Sequence, residues 1–164
     1  MTNIRRYHNN GYTYFVTNVT IQRLPILKEN EEMLLDSIEK HTGTTTSDLI
    51  AWAILPDHFH LLIHPQNTNI SLLMKKIKLF FSAGYRQRKG LQSGRLWQFR
   101  FWDHIIRNQD DMNRHIDYIH RNPLKHCLVE SPFHYPYSSI HHYREYYPDD
   151  WGLKEENDDF NYGE

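Results

Sequence analysis

A single cysteine, Cys127, excludes any internal disulfide, so burial rather than cross-linking has to hold the fold together. One free thiol fits a reducing compartment. No apolar run approaches the roughly 18 residues that span a bilayer, and the N-terminal MTNIRRYHNNGYTY lacks the apolar stretch of a secretory signal. The expectation is a soluble, cytoplasmic protein with no membrane partner. Net charge is missing too: 19 Lys and Arg face 20 Asp and Glu, so the chain as a whole does not attract a polyanion. No internal repeat is visible. A chain of 164 residues is expected to form one domain that buries about two-thirds of its unfolded surface.

The even total hides an uneven distribution. From Ile70 to His126 there are twelve Lys or Arg against four Asp or Glu, and from Glu145 to Glu164 eight acids against Lys154 alone. A basic middle followed by an acidic end suits a polyanion-binding domain with a masking tail, although acidic tails also arise simply as solvated ends.

Tyr12 to Thr20, rich in β-branched and aromatic residues, predicts a strand. Glu29 to His41 predicts a helix, with Met33, Leu34 and Ile38 at helical spacing and Gly43 beyond its end. Two strands follow, Asp48 to Leu55 and His58 to His64, separated by a tight connection at Pro56-Asp57. The longest predicted helix, Ile70 to Arg88, has a cap at Asn69 or Ser71 and an apolar face of Leu72, Leu73, Ile77, Phe80, Phe81 and Tyr85. Leu96 to Ile106 reads as a strand, and Asp110 to Asn122 as a helix stopped by Pro123. After Ser131 irregular structure is expected to pack on the domain. This order predicts an α+β, ferredoxin-like split βαβ sandwich with an antiparallel central sheet, the first and third strands at its centre.

Within the third strand, AWAILPDHFHLLIHP places His58 and His60 two apart on one face and Phe59 on the other. Their Cβ atoms lie roughly 7 Å apart at about 3.3 Å rise per residue, a span that two imidazoles can close onto one cation. Histidine pairs on half-buried sheets are commonly structural. The last helix supplies a second constellation: Met112, Ile116 and Ile119 mark a buried stripe, while Tyr118 and Asn122, four apart, share another face with Arg114 one turn earlier. Two imidazoles and the Asn122 amide oxygen can hold a divalent ion while Tyr118 attacks phosphorus. A phosphodiester is anionic and a phenol's ordinary pKa is near 10, so the ion's withdrawal of charge answers both difficulties. A phosphotyrosine would retain the broken bond's energy for rejoining.

Around these residues, Asp57 is either an acceptor orienting His58 or, as the favoured reading, a cap of the turn, and His64 is strand-end surface. His104, His115, His120 and His126 flank the tyrosine helix in structural or DNA-contact roles. Trp97, Phe99, Phe101 and Trp102 either stack on unpaired bases or build the core, the alternating Trp97, Phe99 and Phe101 being the core candidates.

LPDHFHLLIHP resembles the histidine motif of the single-tyrosine HUH transposases, and DYIHRNPLK resembles their tyrosine helix. GRLWQFRFWDHIIRN followed by HIDYIHRNPLKHCLV is most similar to the REP-associated tyrosine transposases, relatives of the IS200 and IS605 insertion-sequence enzymes. The resemblance covers roughly Tyr12 to Val129 and implies a single-tyrosine HUH transposase-like domain, 1–143, followed by an acidic C-terminal tail, 144–164. It implies His58, His60 and Asn122 as metal ligands for Mg²⁺ or Mn²⁺ and Tyr118 as nucleophile. It further implies a substrate of single-stranded DNA with REP hairpins, cut to leave a 5′-phosphotyrosine, by a monomer or homodimer. The competing expectations are a noncatalytic DNA-binding protein or repressor on the same fold, and a metal hydrolase without covalent chemistry. The latter lacks a zinc signature of the His-Glu-x-x-His kind.

Overall fold

The computed structural model describes residues 11–43 and 47–153. Strands β1 (Tyr14–Val19), β2 (Ser47–Ile54), β3 (His58–Pro65) and β4 (Trp102–Ile105) alternate with helices α1 (Glu31–His41) and α2 (Ile70–Lys89). Helix α3 (Gln109–Lys125) follows β4, and short 3-10 turns at Pro132–His134 and Ser139–Tyr146 come after it. Among the described residues no helix is long and apolar enough to cross a membrane.

All pairings in the sheet are antiparallel, in the order β2-β3-β1-β4, so the first and third strands occupy the centre as the split βαβ pattern requires. Alternation then divides their side chains between two layers. Tyr14 and Val16 of β1 and Phe59, Leu61 and Ile63 of β3 pack beneath α1 and α2 with Leu34, Ile38, Met74, Ile77 and Phe81. Phe15 and Leu62 face the other way, into a smaller core with Tyr118 and Ile119 of α3. His58 and His60 belong to that second face, because they alternate with Phe59.

Helix ends follow local chemistry. The Asn69 side chain accepts a hydrogen bond from the Leu72 N–H at 2.7 Å, and Gly90, at φ 67°, closes α2 in the left-handed conformation. The Asn108 side chain caps α3 in the same way, and Asp110 and Asp111 face the positive end of its dipole. Helix α3 does not stop at Pro123. It runs on to Lys125 and ends at Cys127, which has φ 55°, with Cys127 N–H donating to the Leu124 carbonyl and Leu128 N–H to the Pro123 carbonyl. That bonding is a Schellman motif. Pro123 forgoes the N–H bond to the Ile119 carbonyl and crowds that carbonyl with its ring, and the helix nonetheless continues, closed by these two bonds.

Three sequence expectations are revised. The strand expected from Leu96 to Ile106 shortens to β4, and Trp97 joins the sheet only through a single bridge to Thr20. Trp97 and Phe101 are buried as core candidates should be, whereas Phe99 is 85% exposed. On α2, Leu72 and Phe80 are largely exposed, and Ile70 and Met74 complete the buried face instead.

The chain after α3 is a turn-rich strap across β2 and α3. Ile54 N–H donates to the Tyr137 carbonyl at 2.9 Å, Tyr135 and Tyr143 hydroxyls donate to the Ile54 and Ile50 carbonyls, and Trp52 N–H donates to the Ser139 hydroxyl. His120 of α3 lies 2.9 Å from the same Ser139 hydroxyl and 3.0 Å from that of Tyr147, which donates to Asp117. Of the expected acidic tail, residues 144–153 contain Tyr147 and Trp151, stacked at 4.0 Å, while 154–164 lie outside the described residues.

Burial, with the charges of His141 and His142, lowers His120 to about 3, and burial also lowers His115. The folded protein resists protonation of both, whereas an unfolded chain protonates them once the pH drops below the ordinary histidine value of 6.5. Stability should therefore decline with falling pH, by about 1.4 kcal/mol per pH unit for each fully buried neutral histidine. The urea midpoint should drop between pH 7.5 and 4.5; a constant midpoint would mean that these imidazoles protonate without unfolding.

Candidate active site

The register of the central strands builds the floor of the site. Thr17 stands opposite His60 and Val19 opposite His58. This places the Thr17 hydroxyl 2.9 Å from His60 Nδ1 on the face covered by α3. The two imidazoles are fully buried, with ring centroids 5.0 Å apart and planes nearly perpendicular. Asp57, in the turn before β3, receives the His58 Nδ1–H at 2.7 Å through one carboxylate oxygen and pairs with Arg23 at 3.0 Å through the other. Burial alone would raise this carboxyl, but the bond and charge of His58, aided by Arg23, hold it below its ordinary value. Asp57 thus orients His58, the role ranked second to turn capping on sequence grounds.

Helix α3 forms the roof. Its inward face is more polar than the expected stripe of Met112, Ile116 and Ile119: Asp111, His115, Tyr118, Ile119 and Asn122 are buried, while Met112 and Ile116 are half-buried. Arg114 points outward and pairs loosely with Asp111 at 3.8 Å. The Asn122 Oδ1 lies 3.3 Å from His58 Nε2, and the Tyr118 ring lies 5.5 Å from that of His60. All four residues singled out from the sequence therefore meet in one place. Phe15 wedges among them, stacked on His60 at 5.4 Å and edge-on to Tyr118 at 5.9 Å.

Two further residues reach the site from beyond Pro123. The His126 ring sits 4.9 Å from that of His58, and burial with the neighbouring charges of His58 and Lys125 lowers it to about 4. Lys125 Nζ donates to the Tyr118 phenolic oxygen at 3.3 Å. A helix taken to end at Asn122 hides both; the signal that could have found Lys125 is its seven-residue spacing from Tyr118, two helical turns on one face, and for His126 its four-residue spacing from Asn122.

Two groups on this side of the sheet could hold a divalent ion. One is His104, Asp111 and His115, whose ligand atoms lie within 4.8 Å of one another. There one Asp111 oxygen already accepts from His104 at 2.8 Å and from the Arg107 backbone and side chain at 3.0 and 3.3 Å. The two imidazoles also stack nearly parallel, 14° apart, so their in-plane lone pairs do not converge. This group braces the start of α3 against β4. Burial opposes ionisation of Asp111, but its bonds to His104 and Arg107 hold it well below the usual carboxylate range.

The donor set of His58, His60 and Asn122 fits an ion better. With Nδ1 of His58 turned to Asp57, its Nε2 faces the Asn122 oxygen, and a cation placed between them would be held by both. Burial, then the charges of His58, His126 and Lys125, lowers His60 well below the ordinary value, which keeps its lone pair available. Mixed nitrogen and oxygen ligation suits Mn²⁺ or Mg²⁺ less decisively than an all-oxygen cage, and imidazoles bind Zn²⁺ or Ni²⁺ more tightly.

Because Phe15 fills the space between floor and roof, Phe15→Ala should cost about 3–5 kcal/mol, the range for emptying an aromatic site in a core. Urea unfolding checks the figure, and a loss under about 1 kcal/mol would show that α3 settles without its wedge.

Comparison with known proteins identifies the family. A family model described as "Transposase IS200 like" matches residues 8–122. The chain is 35% identical over 156 residues to the REP-associated tyrosine transposase of Escherichia coli K12, covering 92% of this chain and 91% of that one. It also superposes with a TM-score of 0.82 and 34% identity on the structure of a REP-associated tyrosine transposase bound to a REP hairpin, over 100% of this chain and 98% of the other. With that match, that identity and that fold, the chain belongs to the IS200-like transposase family and is an enzyme of DNA transposition.

Proposed function

We propose that the protein cuts and rejoins single-stranded DNA at hairpin-bearing, REP-like sequences, with Tyr118 as nucleophile and His58, His60 and Asn122 holding Mg²⁺ or Mn²⁺. The observation that carries this reading is the convergence of Asn122 and His58 at 3.3 Å with the Tyr118 ring 5.5 Å from that of His60. Bound there, the ion would withdraw charge from the non-bridging oxygens of the scissile phosphate. The protein's own residues do the rest. Asp57 fixes the tautomer of His58, Thr17 fixes the rotation of His60, and the buried roof excludes the bulk water that would otherwise compete with the phenol.

A groove on the opposite side of the sheet suits the DNA itself. Lys75, Lys78, Arg86 and Arg95 surround a cavity of about 360 Å³ beside the exposed ring of Phe99. Cations that track phosphates, with an aromatic face for an unpaired base, are what single-strand binding needs.

Mass spectrometry of protein incubated with single-stranded hairpin DNA and Mn²⁺ should find nucleotide attached at Tyr118. Tyr118→Phe keeps the ring and its packing, so it should abolish the adduct while metal and DNA binding stay near wild type. Attachment at another tyrosine, or undiminished cutting by the variant, would overturn the assignment.

Removing the orientation of His58 tests the ligand set separately. Asp57→Asn should weaken Mn²⁺ binding by roughly 10- to 100-fold, the usual cost of losing an acceptor behind a ligating histidine. Calorimetry measures it, and unchanged affinity would place the ion elsewhere.

A further inference from the structure

Lys125 has no part in the reaction as set out above, yet it touches the atom on which that reaction begins. Its ammonium donates to the Tyr118 phenolic oxygen at 3.3 Å and lies 4.9 Å from the ring centroid. Helical geometry explains the placement. At about 100° per residue, Asn122 sits some 40° from Tyr118 around α3, and Lys125 comes back to within about 20°. The continuation of the helix through Pro123 is therefore what brings the ammonium over the phenol. The two side chains differ in setting: Tyr118 is 3% exposed, whereas Lys125 is an exposed residue that reaches inward.

We infer that Lys125 is a catalytic residue, the charge partner of the Tyr118 oxygen in both cutting and rejoining. The inference rests on Tyr118 being the nucleophile. In cutting, the phenol gives up its proton to water, its oxygen forms a bond to phosphorus, the bond from phosphorus to the 3′ oxygen breaks, and the departing 3′ oxygen takes a proton from water. Rejoining reverses this, with a 3′ hydroxyl attacking phosphorus and the phenol oxygen leaving. In both directions the reacting phenol oxygen carries negative charge in a buried position, where an unpartnered charge is costly and a fixed donor is correspondingly effective. One cation at 3.3 Å serves attack and departure alike.

A shared transition state makes the effect symmetric. Lys125→Met should slow cutting and rejoining at one site by the same factor, roughly 10²- to 10³-fold by analogy with deletion of a single oxyanion donor. The fraction of DNA held as adduct at equilibrium should not change. The experiment is a single-turnover time course on labelled hairpin DNA with Mn²⁺, at saturating and subsaturating protein, for wild type, Lys125→Met and Lys125→Arg. The saturated rate should fall and the half-saturating concentration should hold, with Lys125→Arg recovering part of the loss.

A covalent rescue separates charge from packing. Cys127 is the chain's only cysteine, so in a Cys127→Ser background Lys125→Cys offers one thiol for aminoethylation by 2-bromoethylamine, which rebuilds a lysine-like ammonium. Restored cutting supports the inference. Wild-type rates in Lys125→Met, a change confined to half-saturation, or a folded, DNA-binding thioether variant that stays inactive would overturn it, the second by making Lys125 a phosphate contact. Wild-type protein that forms no adduct at Tyr118 would instead overturn the underlying reading.

Discussion

The register of β3 between β1 and β2 governs both layers of the molecule. Its side chains alternate between an aliphatic core, through Phe59, Leu61 and Ile63, and a polar site, through His58 and His60. A slip of one residue would send the imidazoles under α1 and α2 and the phenylalanine into the site. Burial of Phe59, Leu61 and Ile63 forbids that slip, so the apolar layer holds the polar one in place. Neighbouring strands add the finer adjustment: Thr17 across the ladder and Asp57 in the preceding turn each engage one ring nitrogen.

The roof is positioned by a different kind of interaction. Beneath α3 lie Ala51, Ala53, Leu55 and Leu62, but much of what the helix itself buries is polar and hydrogen-bonded: His115 to the Asp111 carbonyl at 2.7 Å, His120 to the strap, and Asn122 beside His58. A polar interface of this sort has little tolerance for shift, because each displaced partner leaves a buried group unsatisfied. The result is a tyrosine placed by directional bonds rather than by apolar packing alone.

Much of this was legible in the sequence, for reasons that can be stated residue by residue. His58, Phe59 and His60 could be sorted to opposite faces because strand alternation depends only on sequence separation. Tyr118 and Asn122 could be paired because four residues on a helix make one turn. The strand order followed from the succession of elements. What was not legible depended on events between elements. Proline statistics ended α3 at Asn122, and the Schellman closure at Cys127, which carries Lys125 and His126 into the site, is a property of backbone conformation. Phe99 alternates correctly with Trp97 and Phe101 but lies outside β4, where alternation no longer decides which way a ring faces. The inward histidines of α3 were open to structural or DNA-contact roles, and only Asp111 and Ser139 beside them decide for the structural one.

The strap after α3 has an effect on how this chain can meet others. Ile50, Ile54 and Trp52 lie along the outer border of the sheet, and the strap takes up the Ile50 and Ile54 carbonyls, the Ile54 N–H and the Trp52 N–H. A border whose main-chain groups are spoken for cannot template an incoming strand. Sheet extension from one copy to the next is thereby closed on the β2 side. Among the described residues the four-residue border at β4 remains open to pairing, and concentrated protein gains protection against ladder-like aggregation from the same segment that fastens its tyrosine helix.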